Sequence, residues 1–379
     1  MDTGFGAVMT RLPAAATLTV RGPDSLPALV PHLVGFHPAD SLVLLGLAPE
    51  RRAIRVTMRM DLPHPDDEVV KVVDAWADAL AALPQAGATE AILAVYPGAG
   101  DDPWRGPEPR DLPHAHLVDA LAAELSDAGI LALDAVCVVG DRIRSYWCES
   151  VSCCPPEGRV VDGAESLRVQ ATLVAHGSAP LSSRDVLART LDERPEDDAL
   201  RGAVEHARDG VVIRMPSGTR QRVDHVVAGA RALAADPRNE AALVRLVVMV
   251  SWLCAQVRPR DLLLRALTID EDRQLLASAR TLLTEGVRCA SGADVAPLAS
   301  VLAVCAWVDG DGAAARVALD RALDADPSYS LAALVSAALD AGTPPWCWVA
   351  MMAETTVEEI LGEVPRAVEE PGHRASTGA

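Results

Sequence analysis

Lysine is all but missing from this sequence: Lys71 is the one ammonium in 379 residues, and arginine supplies the rest of the positive charge. Schiff-base and other lysine chemistry is excluded unless Lys71 itself serves. Positive charge is also outnumbered, with a formal net charge of -19. Phosphate contacts need a concentrated basic surface, so the chain is expected to bind no nucleic acid unaided. The same deficit disfavours docking on anionic lipid. Aromatic residues make up only 3%, so any core must be built of Ala, Val and Leu. No stretch reaches the roughly 18 uninterrupted apolar residues of a membrane span. The most apolar run, "LVRLVVMVSWLCAQV" at 243–257, is broken by Arg245 and reads as a helix buried in protein. Residues 1–20 carry Asp2 and Arg11 and no apolar core of signal-peptide length, so a cytoplasmic location is expected. Neither G-x-x-x-x-G-K-S/T nor G-x-G-x-x-G occurs, which removes the standard phosphate loops.

What is present is half hydrophobic, enough for two packed parts. The first 160 residues alternate strand-like and helix-like patterns. A strand is expected at 16–22 and a helix at 23–36 that Pro27 and Pro31 shorten or kink. Strands follow at 41–47 and 53–63. In the second, Ile54, Val56, Met58 and Met60 face one way and Arg55, Thr57, Arg59 and Asp61 the other. A helix over 66–83, the strand "AILAVYPG", the helix "HLVDALAAELSDAGI" and the strands "ALDAVCVVG" and "RIRSYWC" complete a mixed sheet with packed helices. From about residue 222 the pattern is helical, with helices expected over 222–235, 239–256, 259–267, 271–286, 294–308, 312–325 and 329–341. The expected organisation is an α/β domain over 14–191 and a charged linker and connecting segment over 192–221. An all-α helical-hairpin domain follows over 222–362, weakly tetratricopeptide-like, and then a disordered tail over 363–379.

Three landmarks stand out: "VPHLVGFHPADSLVLLGL", "SYWCESVSCCPPEG" and "WVDGDGAAARVALDRALDADPSYSLAALVSAALDAGTPP". In order and spacing they resemble an actinobacterial family catalogued only as a domain of unknown function (DUF4192), over roughly residues 17–348. The resemblance implies an actinobacterial origin and one conserved architecture. It carries no reaction, cofactor or partner, and ranks the landmarks as the places to look.

At "GFHPADS" a base, a carboxylate and a hydroxyl (His37, Asp40 and Ser41) fall within five positions. They read either as a catalytic group, hydrolytic for instance, or as a helix-to-strand corner whose polar groups bond backbone. Arg59 and Asp61 share one side of a strand near its end, where ligands of α/β folds bind. They line a small-ligand cleft with His37 or form a cross-strand ion pair. "HAH" at 114–116 places two imidazoles on different helix faces, so both are expected at the surface. Cys148, Cys153 and Cys154 are spaced C-x4-C-C. Zinc needs a fourth ligand in a structural site, for which Cys137 on the preceding strand is the candidate. The alternatives are a redox pair and a structural clasp of buried thiols. Cys254, Cys289, Cys305 and Cys347 sit in helical surroundings and are assigned to packing. The leading expectation is a binding protein that docks a protein partner on its helical domain; the rival is an enzyme using His37, Asp40, Ser41, Arg59 and Asp61.

Overall fold

A computed structural model describes residues 6–8, 22–50, 52–63, 69–104, 106–270 and 272–362. The strand expected at 16–22, but for Gly22, lies outside them, as do residues 66–68 of the second expected helix and the tail over 363–379. A three-residue strand, β1 (Gly6–Val8), stands at one edge of the sheet. A 3-10 turn then leads into α1 (Leu26–Val34). This helix tolerates Pro27 in its first turn and Pro31 inside, and it ends at Gly35 in the left-handed conformation (φ 81°). The chain continues as β2 (Ser41–Leu47), β3 (Ile54–Asp61), α2 (Val69–Ala81), β4 (Glu90–Tyr96), α3 (Ala115–Asp127), β5 (Leu131–Val139), β6 (Arg142–Ser145) and β7 (Arg159–Val160). The sheet order is β1-β3-β2-β4-β5-β6-β7, with β4 and β5 parallel and the remaining pairs antiparallel.

Every residue of β2 is buried because helices cover both faces of the sheet. Leu42 and Leu44 join Trp76, Leu80, Leu117 and Leu121 from α2 and α3. Val43 and Leu45 join Leu29, Val30 and Leu33 from α1, and Val169 and Leu173 from α4 (Gly163–Ala175). A short α5 (Arg184–Arg189) closes this half.

Residues 192–221, expected as a charged linker, contain α6 (Ala199–Arg214). Their charges are structural. Asp198 caps the helix by accepting from the amides of Leu200 and Arg201 at 3.0 and 3.1 Å. Arg194 joins Asp198 to Glu285 at 2.9 and 2.7 Å. The expected helices become α7 (Thr219–Ala235), α8 (Glu240–Cys254), α9 (Val257–Thr268), α10 (Arg273–Cys289), α11 (Val295–Val308), α12 (Gly312–Ala325) and α13 (Ser330–Asp340). Two more follow, α14 (Pro345–Glu354) and α15 (Val357–Leu361). Buried on nearly every side, α11 is the centre of this half. Among the described residues no single helix is long and apolar enough to cross a membrane; α8 and α9, apolar enough together, are bent by 119°.

Candidate functional site

The sheet brings two of the sequence landmarks to definite places: one at the ends of β2, β3 and β4, the other in the loop from β6 to β7. At the strand ends, Ser41 is paired in register with both Asp61 and Tyr96. Its hydroxyl is fully buried and donates to the Ala39 carbonyl at 2.7 Å. It accepts from Arg59 Nε and Nη2 at 3.0 and 2.7 Å, and the same guanidinium forms an ion pair with Asp61. Burial pushes Arg59 below its ordinary value, and the Asp61 charge opposes that shift. Asp40 adopts a positive φ of 49° and is exposed, with its carbonyl accepting from the Leu62 amide at 3.0 Å. His37 is exposed as well; its amide bonds the Leu181 carbonyl at 2.9 Å, and its ring acts electrostatically on His32. The structure therefore bonds Ser41, Arg59 and Asp61 together, with the Asp40 charge acting on Arg59, and among the described residues no side-chain hydrogen bond ties the His37 ring to them. Ser41 spends its proton on a carbonyl and its lone pairs on arginine, so among the described residues no base is bonded to it to activate it. This arrangement locks the ends of β2 and β3 together.

His116 is exposed, as expected, whereas His114 is half-buried. His114 caps α3 from a left-handed conformation (φ 59°) with Nε2 3.4 Å from the Asp101 carboxylate. The spacing "HAH" gave no sign of this, because Asp101 arrives from another loop.

The loop between β6 and β7 is held at both ends. Where it leaves β6, the Ser145 hydroxyl donates to Asp134 at 2.7 Å and accepts from the Trp147 amide at 3.1 Å. Where it returns, Arg144 donates to the carbonyls of Gly106, Pro107 and Pro156 at 2.9, 2.6 and 3.2 Å. Arg142 donates to the Gly158 carbonyl at 2.8 Å, and Arg159 pairs with Asp24 at 2.7 Å. Between these anchors, the Ser150 carbonyl accepts from the amides of Cys153 and Cys154 at 3.0 and 2.7 Å. That turn curls the chain back on itself and brings the sulfurs of Cys148, Cys153 and Cys154 within 4.8 Å of one another. Cys153 is exposed, and Cys148 and Cys154 are half-buried.

The two half-buried thiols are shifted in opposite directions. The Ser150 amide and the Cys154 thiol hold Cys148 below its ordinary value by hydrogen bonding. Burial pushes Cys154 up to about 11. Cys137 does not join the group. It is fully buried against the α2 and α3 layer, in hydrogen-bonding contact with Tyr146, and burial pushes its thiol up to about 12. A zinc–sulfur distance of about 2.3 Å corresponds to sulfurs about 3.8 Å apart around a tetrahedral ion. Three converging sulfurs can meet that spacing with small side-chain rotations. The sequence reading missed Arg144, the buried residue that pins the loop, since arginine alternating along a strand reads as a solvent-facing residue.

No curated protein and no solved structure matches this chain. A protein-family match runs over residues 23–346 and takes in the strand-end corner, the cysteine loop and the α12–α13 hairpin. The chain belongs to the family described as Domain of unknown function (DUF4192).

Proposed function

We propose that this protein is a metal-binding protein whose centre is the three-thiol loop, taking a soft divalent ion such as zinc on Cys148, Cys153 and Cys154. The observation that carries the reading is the convergence of the three sulfurs within 4.8 Å on a loop anchored at both ends. Thiolates are the preferred ligands of such an ion. Three of them leave the fourth tetrahedral position to water or to an incoming ligand, and the exposure of Cys153 puts the cluster within reach of both. The hydrolytic reading of His37, Asp40, Ser41, Arg59 and Asp61 has less support, because the hydroxyl is committed and the exposed imidazole has no hydrogen bond to it. For protein docking on the helical half, Leu334, Trp346 and Met351 are exposed, and nothing beyond that exposure points to a partner.

The test is zinc titration of the reduced protein against a chromophoric chelator. One zinc per chain is expected. Cys148→Ser, Cys153→Ser and Cys154→Ser should each weaken binding by at least about tenfold, and Cys347→Ser should not. Absence of stoichiometric zinc, or equal affinity in all four variants, would remove the reading.

A further inference from the structure

We infer that the same loop is a two-electron redox centre in which Cys148 and Cys154 close a disulfide when a hydroperoxide reaches them. The inference rests on the site proposed above but not on the metal, since it concerns the thiols of the metal-free chain. A disulfide forms where two sulfurs can come to about 2.05 Å without moving the backbone far. Here three sulfurs already lie within 4.8 Å of one another, and the Cys148 thiol is in hydrogen-bonding contact with both the Cys154 and the Cys153 thiols. Cys153 and Cys154 are neighbours in the chain, and a bridge between them would need a strained eight-membered ring. Cys148 is therefore the common partner. The turn at Ser150 holds the Cys153 and Cys154 amides 3.0 and 2.7 Å from its carbonyl, which keeps both thiols beside Cys148. Cys153 is exposed and Cys148 half-buried, within reach of a small oxidant, whereas Cys254 and Cys305 are buried away from it.

The chemistry balances in two steps. Cys148, as thiolate, attacks one oxygen of the hydroperoxide; the O–O bond breaks, a sulfenic acid forms, and the leaving hydroxide takes up the proton that Cys148 released. The Cys154 sulfur then attacks the Cys148 sulfur, and the hydroxyl departs with the Cys154 proton as water. Two thiols give up two electrons and two protons, and hydrogen peroxide becomes two waters. A dithiol reductant reverses the bond by exchange. Cys153 remains a free thiol. Because Cys148 and Cys154 are also two of the three proposed metal ligands, oxidation would release the ion.

The experiment uses the full chain, reduced, stripped of metal and treated with an equimolar amount of hydrogen peroxide. Alkylation, intact mass and peptide mapping follow. The expected result is loss of two hydrogens, loss of two alkylation sites, and a Cys148–Cys154 cross-linked peptide that dithiothreitol abolishes. Cys148→Ser should remove the cross-link and slow thiol loss by at least about tenfold, while Cys153→Ser should keep it. Should Cys148→Ser fail to fold by circular dichroism, the wild-type peptide map decides alone. Sulfinic or sulfonic products without a cross-link, or disulfides only between chains, would overturn the inference. The two proposals fail separately: a disulfide without zinc binding removes only the metal, and zinc binding without a disulfide removes only the redox chemistry.

Discussion

Arg144 is a guanidinium almost wholly inside the protein, and its partners are carbonyl oxygens. Among the described residues no carboxylate pairs with it. Two of those carbonyls belong to Gly106 and Pro107 and the third to Pro156, so one side chain ties the loop before α3 to the segment just after the cysteines. Its Nε has no acceptor, a cost the three carbonyl bonds must outweigh. Arg144→Met keeps the apolar stem and strands three acceptors, and should cost about 3 kcal/mol. Urea unfolding measures that loss, and alkylation of Cys154 should become faster as the loop loosens. A variant as stable as wild type, with unaltered alkylation, would mean that the carbonyls find other donors. At this scale the sequence was informative about residue types and silent about directions. The crowding of Cys148, Cys153 and Cys154 was legible. That Cys137 turns inward was not, because the face a strand residue occupies depends on which helices cover the sheet.

Pairs of elements hold a second layer of order. The Asp24 carboxylate in the turn before α1 meets Arg159 on the edge strand β7, so the covering helix and the last strand are fastened at a single ion pair. The hydrogen bond from Arg159 holds Asp24 below its ordinary value of 3.8. A carboxylate lowered on folding stabilises the folded chain fully above its unfolded value and loses that contribution as pH falls through the folded one. Asp24→Asn should therefore cost about 1 kcal/mol at neutral pH. The difference from wild type should hold above about pH 4 and shrink as the pH falls further, through the lowered value of Asp24. Urea midpoints of the two proteins across that range provide the check, and a gap that stays constant to the lowest pH would refute it. Elements themselves were the most legible level. The helices α7 to α13 follow from apolar periodicity punctuated by Asp-Pro at 236–237 and 326–327, where proline ends one helix and the next begins. The α6 helix escaped because its acids look like solvated linker until Glu285 and its partner Arg194 are seen together.

Over the whole molecule, the two halves were legible as separate patterns, one alternating and one helical, and their mutual placement was not. That placement depends on contacts between residues far apart in the chain. β1 lies beside α12 and α13, and Arg184 of α5 reaches Asp320 of α12 at 2.5 Å. The halves also approach backbone to backbone, where the turn after α13 brings Gly342 against Ala79 of α2. Gly342 has φ 63°, and a Cβ there would stand 3.0 Å from the Ala79 Cα and 3.1 Å from its Cβ. Gly342→Ala thus carries two penalties, the left-handed backbone and the collision with α2. Gly129 separates them, since it has φ 76° and open space where its Cβ would be. Gly129→Ala should cost only the conformational part, about 1–2 kcal/mol. Gly342→Ala should cost about 1–2 kcal/mol more, because α2 or the turn must shift and the packing between the halves opens. Urea unfolding of both variants measures the difference. Equal losses would show that α2 yields at no cost and that the halves are held by the ion pair and β1 instead; a larger loss at Gly342 would place the seam of the molecule at the close approach to Ala79.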